Sequence, residues 1–132
     1  MDEAYLAAVE RGDTDGIRRL LDKAACAAGY NKLVYRGSRE KEIRPGHMVT
    51  HDRDYAETFG PVRMYYLTDE TPFKLSFTDL QMLGGAEGVA RLTGLYRFGE
   101  DSYILTDPVQ VQPADLVLYD TAGHVVSLSE RF

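Results

Sequence analysis

The feature that most constrains this chain is a change of hydrophobic period at Asn31. Up to that point apolar residues recur every three or four positions, as they must to line one face of an α-helix. Tyr5, Ala8 and Val9 do so between Asp2 and Arg11, and Gly12-Asp13 closes the segment with a glycine suited to a helix C-terminus and a fresh cap behind it. Ile17, Leu20, Leu21, Ala24, Ala25 and Ala28 then form a stronger stripe, opened by capping residues from Asp13 to Asp15 and ended by Gly29. The first thirty residues therefore predict a helical hairpin. Its apolar side needs a second layer to pack against.

After Asn31 the apolar residues come in short runs rich in branched and aromatic side chains: Leu33-Val34-Tyr35, Val62 to Leu67, Phe73 to Phe77 and Tyr103-Ile104-Leu105. These predict strands. Between the first two, His51 to Phe59 puts Tyr55, Ala56 and Phe59 on one side and stops at Gly60-Pro61, which predicts a two-turn helix capped by Thr50. Leu116 to Tyr119 and Val125 to Leu128 flank Asp120-Thr121-Ala122-Gly123, a sequence suited to a four-residue hairpin connection. From Met82 to Gly99, glycines at 84, 85, 88, 94 and 99 weaken any helix, so a mobile loop is expected there, with one or two turns at most over Ala86 to Leu92. The expectation is one α+β domain over residues 1–132. Residues 1–30 form a helical lead-in, packed on a small, twisted and mostly antiparallel sheet built from the β-rich core of residues 31–132.

Charge and cysteine content narrow the function classes. With 15 Lys+Arg scattered among 21 Asp+Glu and a net charge of -6, the chain lacks the clustered bases that wide phosphate-backbone binding requires, so nucleic acid is not expected as a direct partner. No apolar run approaches the roughly 20 residues of a membrane span, and no membrane partner is expected. Met1-Asp2-Glu3 is acidic where a secretory signal is basic, which points to the cytoplasm. The single cysteine, Cys26, sits among alanines in the helical pattern and is expected to be a small buried apolar residue in a reducing compartment.

Phosphate-loop, dinucleotide-fingerprint, CxxC and HExxH motifs are all missing. His47 and His51 lie four apart, but Pro45-Gly46 precede them and no third ligand is apparent, so they read as loop histidines and no metal is expected. More informative is Val34-Tyr35-Arg36-Gly37-Ser38, an apolar strand ending in an arginine and a glycine. The glycine lets a ligand approach the backbone while the guanidinium takes a phosphate or ribose. Taken alone, the same residues also describe an edge arginine before a turn glycine.

Three segments occur in order: Tyr35-Arg36-Gly37, then Gly46 to Gly60 with Val49-Thr50 and Tyr55-Ala56, then Tyr103-Ile104-Leu105-Thr106-Asp107-Pro108. Together with Ala4 to Asp13, Asp22 to Tyr30, Asp107 to Asp115 and Tyr119 to Phe132, they resemble the ADP-ribosyltransferase-like domains carried by phages and prophage polyvalent proteins. The resemblance covers nearly the whole chain except Thr68 to Asp101. It implies an ADP-ribosyltransferase-like fold with NAD as substrate. Tyr35, Arg36 and Gly37 would bind it, Arg36 orienting the ribose and phosphates, with Thr50 on a second strand and Tyr55 stacking on nicotinamide. The family's acidic residue falls on Ser102 here, with Glu100 and Asp101 just before it. Asp101 is therefore the expected catalytic carboxylate, Glu100 the next choice, and Arg36 the third catalytic residue.

The function implied is a phage-derived mono-ADP-ribosyltransferase that modifies a host or defence protein. The alternative is a catalytically inactive relative, such as an anti-CRISPR inhibitor, that blocks its target through an acidic surface. A third reading is an inert module of a larger polyvalent protein.

Overall fold

The computed structural model describes all 132 residues. Helix α1 covers Asp2–Arg11 and ends at Gly12, whose left-handed backbone (φ 68°) lets its N–H return to the carbonyls of Ala8 and Val9. Helix α2, Thr14–Ala27, starts on Asp13, whose side chain accepts from the Gly16 N–H at 3.0 Å. Ile17, Leu21 and Ala25 recur every four residues on the buried side of α2 and meet Tyr5 and Ala8 of α1. Leu20 and Ala24 pack at the margin of the same cluster.

The hairpin packs on a seven-stranded sheet made of β1 (Tyr30–Gly37), β2 (Met48–Thr50), β3 (Val62–Thr68), β4 (Phe73–Leu75), β5 (Tyr96–Phe98), β6 (Ser102–Ile104) and β7 (Val111–Pro113). Their order is β4-β5-β6-β2-β1-β3-β7, and every neighbouring pair is antiparallel except β4 with β5. The chain is thus α+β with a mostly antiparallel sheet. Alternation along β3 makes that strand the hinge of two cores. Tyr66 joins the helical side, whereas Tyr65 and Leu67 face a second cluster with Val34, Val49, Leu95, Tyr103, Leu105 and Val111. The Tyr66 hydroxyl donates to Asp22 and accepts from Arg18 at 2.9 Å, tying α2 to the sheet through a half-buried polar group. Burial and the Asp22 hydrogen bond push the Tyr66 phenol well above its ordinary range, so it is protonated.

Helix α3 (Arg53–Glu57) lies against β1 and β2. Its cap is Asp52, which accepts from the Tyr55 N–H at 3.1 Å, and not Thr50. Thr50 ends β2, and its hydroxyl accepts from the Asp52 N–H at 3.1 Å. The helix starts two residues later than the pattern suggested because β2 pairing claims Thr50.

Met82 to Gly99 is mostly turns, as its glycines suggest, with one helical turn inside the Ala86 to Leu92 stretch and a short strand after it. Helix α4 covers Phe77–Met82, α5 covers Ala86–Val89, and β5 follows. Burial of Val89 and Leu95 fixes what the glycines leave locally weak. Strand β4 stops at Leu75 because Ser76 and Asp79 form a reciprocal capping box that turns Phe77 into a helix. At the other end, the expected hairpin at Asp120 to Gly123 contains one bridge, Tyr119 with Val125. Leu128 opens a terminal helix, α6 (Leu128–Arg131), whose Ser129 N–H and hydroxyl donate to the Asp2 carboxylate at 3.1 and 2.6 Å. Cys26 is exposed, because it lies off the Ile17-Leu21-Ala25 stripe. No helix is long and apolar enough to cross a membrane.

Candidate functional site

At the end of β1 the sheet opens into a cavity of about 320 Å³, near the lower end of the roughly 300–1,000 Å³ range of ligand pockets. Strand β1 supplies Tyr35, Arg36 and Gly37, followed by Ser38, and β2 supplies Met48 and Thr50. Helix α3 closes the far side with Tyr55 and Ala56, and Phe59 lies beyond it. Tyr55 and Phe59 meet edge to face, 5.2 Å between centroids, and both stay largely exposed. They form an aromatic lip that a flat ring can stack on without moving the backbone. Arg53 of α3 lies 5.6 Å over the Tyr35 ring.

Gly37 is required by the fold. A Cβ built there meets the Ala56 carbonyl oxygen at 1.7 Å, so the glycine admits α3 against β1 and thereby shapes the wall. Gly37 also lines the cavity.

Arg36 carries the cavity's charge. It is half-buried, and its only protein hydrogen bond runs from Nη1 to the Met48 carbonyl at 3.1 Å. Nε is buried without a partner, and no carboxylate pairs with the guanidinium. Burial depresses its pKa, with Tyr65 and Glu40 opposing, but an arginine stays charged throughout. A half-buried cation without a carboxylate partner at the wall of a cavity keeps donors free, and its chemistry suits an anion. Next to it, burial and the charges of Arg36 and Arg44 lower the pKa of His47, which accepts from the Arg44 N–H through Nδ1.

All five residues expected to bind NAD, namely Tyr35, Arg36, Gly37, Thr50 and Tyr55, line this one cavity. Glu100 and Asp101 do not line it. Both are exposed in the turn before β6. The Asp101 carbonyl accepts from the His51 N–H at 2.8 Å, and the Glu100 carbonyl accepts from Arg97 Nη2 at 2.8 Å, so the turn is anchored by its backbone. Ser102 is buried and stands directly opposite Thr50, which is itself opposite Tyr35. These three residues form one cross-strand row on the same face. Position 102 therefore lies beside the cavity wall, and a serine fills it.

Ser38, Met48, Ala56 and Phe59 also line the cavity and were not singled out as binding residues. Phe59 was legible from its helical phase with Tyr55, and Met48 from strand alternation with Thr50. No group of three or more His, Cys, Asp or Glu side chains is placed to hold a metal ion. The fold and cavity define an α+β protein with an arginine-walled, aromatic-lipped cavity. No protein-family model, curated protein or solved structure gives a significant match to the chain.

Proposed function

We propose that the chain is an ADP-ribosyltransferase-like protein that binds NAD in the β1–β2–α3 cavity and transfers ADP-ribose to a protein acceptor, as a phage-type enzyme acting on a host or defence protein. The observation that carries this reading is the convergence of Tyr35, Arg36, Gly37, Thr50 and Tyr55 on one cavity, although they come from two strands and a helix. Arg36 suits the phosphates, because its guanidinium lacks any carboxylate and keeps donors free. Tyr55 and Phe59 suit stacking on a ring. In the transfer, the bond between nicotinamide nitrogen and ribose C1′ breaks and its electron pair leaves with nicotinamide. An acceptor lone pair forms the new bond to C1′, and the acceptor gives its proton to solvent. A carboxylate near the ribose stabilises the oxocarbenium character that develops, and Asp101, with Glu100 beside it, is the residue assigned to that role.

One observation favours a second reading. No carboxylate lines the cavity, and the position opposite Thr50 holds Ser102, which suits a catalytically inactive relative that binds its target through the acidic surface. Labelled NAD incubated with the protein and host lysate separates the two. Labelled host protein, or release of nicotinamide, supports the transferase. Saturable NAD binding with neither product supports the inactive form, and no NAD binding overturns the transferase and leaves the inhibitor that acts through its acidic surface.

A further inference from the structure

A second cavity, of about 430 Å³, shares no residue with the Arg36 cavity. Arg63 and Tyr65, two apart on β3 and so on one face of it, both line this cavity, and Pro113 of β7 pairs directly with Tyr65. Tyr65 and Val111 belong to the cluster on the side of the sheet away from the helical hairpin, and Ile43 packs at its margin. With Leu118 they give the cavity an apolar wall. Lys41 and Asp115, both exposed, complete the charged part of the lining. One cavity therefore gathers two bases, one acid, a phenol and an apolar wall.

The buried tyrosines are Tyr5, Tyr65, Tyr66 and Tyr103. Three of their hydroxyls are hydrogen-bonded within the fold, Tyr5 to the Leu116 carbonyl, Tyr66 to Asp22 and Tyr103 to His51. The Tyr65 hydroxyl has no partner in the fold and is not sealed from solvent, so it is free to bond a ligand. Burial raises its pKa, with Arg63 and Arg36 opposing and Asp115 reinforcing, so the phenol is a protonated donor that feels charges of both signs. Arg63 donates through Nη1 to the carbonyls of Ser38 and Glu40 at 3.3 and 3.2 Å, which holds the guanidinium and leaves Nε and Nη2 without a protein acceptor. No ion pair within 4.0 Å joins Lys41, Arg63 or Asp115 to one another or to any other residue. A pure anion in this cavity meets repulsion from Asp115, and a pure cation meets repulsion from the two bases. A ligand that carries both signs suits all three. Its body has to be apolar to cover Ile43, Val111 and Leu118.

We propose that this cavity binds an α-amino acid with an apolar side chain, its carboxylate on Arg63 and Lys41, its ammonium on Asp115 and its side chain against Ile43, Val111 and Leu118. The site does not rest on NAD binding at Arg36. Leucine is titrated into isotope-labelled protein with amide resonances followed by NMR. Three analogues are titrated beside it: isocaproate, which lacks the ammonium, isoamylamine, which lacks the carboxylate, and glycine, which lacks the side chain. The amides of Arg63, Tyr65 and Asp115 shift saturably with leucine, and each analogue binds about tenfold or more weakly, as the loss of a charged hydrogen bond or of a buried side chain implies. Asp115→Asn, at an exposed position, weakens leucine about tenfold and leaves isocaproate unchanged or tighter, so the preference for the ammonium disappears. Tyr65→Phe removes a hydroxyl that the fold does not use, keeps the Tm and weakens leucine severalfold. Unsaturable shifts, shifts confined to Tyr35, Arg36 and Gly37, an analogue that binds as tightly as leucine, or a preference for leucine over isocaproate that survives Asp115→Asn would overturn the site.

Discussion

Replacing Arg36 with Gln tests whether the cavity is a site or a structural gap, because the guanidinium predicts opposite effects on binding and on folding. If Arg36 grips the phosphates of NAD, the lost interaction is a hydrogen bond to a charged group, worth about 1.5–3 kcal/mol. That corresponds to a roughly 10- to 150-fold rise in Kd. Stability should barely move. The side chain gives the fold one hydrogen bond, to the Met48 carbonyl, worth about 0.5–1.5 kcal/mol, and removing a half-buried charge with no carboxylate partner offsets part of it. A net change under about 1 kcal/mol moves the Tm by less than about 4 °C, at ~2.1 cal/mol/K per residue over 132 residues. Isothermal calorimetry with NAD and a calorimetric melt measure both quantities on the same samples. Arg36→Lys keeps the charge without the fork and should fall between the wild type and Gln. Unchanged Kd in Arg36→Gln, or a loss of affinity accompanied by a fall in Tm of 10 °C or more, refutes the reasoning. The first outcome removes Arg36 from the site, and the second makes it a structural residue.

Asp101→Asn should lower transfer or NAD hydrolysis about a hundredfold with little change in NAD affinity if its charge stabilises the transition state, and full turnover in both Asp101→Asn and Glu100→Gln would rule out these carboxylates. Ser102→Glu places a carboxylate opposite Thr50, so it should raise NAD hydrolysis above the wild-type rate, as followed by nicotinamide release. Leu21 is fully buried between Tyr5, Ile17 and Tyr66, so Leu21→Ala should cost about 2–5 kcal/mol in a denaturant titration, and an unchanged midpoint would contradict the packing of the hairpin. The Asp2 carboxylate is held below its ordinary pKa of 3.8 chiefly by the Ser129 hydroxyl. The lowered folded pKa makes its contribution complete above pH 3.8 and lost as pH falls through the lowered value. Asp2→Asn should therefore flatten the acid limb of stability as pH falls below 3.8, measured by circular dichroism.

How legible the fold was depended on whether local pattern or distant packing decides each segment. The helical hairpin was readable because Ile17, Leu21 and Ala25 repeat at the period of the helix they form, and Asp13 signals its start. Strands β1 and β3 were readable for the same reason, each being long enough to carry a run of branched and aromatic residues. Three-residue strands such as β2, β5 and β7 carry no period at all. They exist because a neighbour supplies hydrogen bonds and because Val49, Leu95 and Val111 fill one cluster, which is information a local window lacks. The glycines between Met82 and Gly99 told of turns and one helical turn, but not of strand β5. Their low propensity is real, but Val89 and Leu95 override it, while the Ser76–Asp79 capping box was a local signal that passed unused.

The site divides along the same line. Tyr35, Arg36 and Gly37 are adjacent in sequence and must share a strand end, and Thr50 and Tyr55 follow a strand-to-helix turn that Asp52 caps locally. The acidic position depends instead on which residue of a turn faces the cavity, and that is set by register across β2 and β6. Thr50 pairs with Ser102, so the residue beside the wall is the serine, one step along the chain from Asp101. Because side chains alternate along a strand, that single step separates neighbours to opposite faces wherever β6 geometry continues into the turn. Asp101 then reaches the ribose only by bending the turn, whose backbone is tied to His51 and Arg97. The comparison that decides whether this turn yields is between Asp101→Asn and Ser102→Glu. A large loss in the first locates the working carboxylate in the turn, whereas gain in the second with no loss in the first shows that the cavity binds NAD and lacks only the charge at position 102.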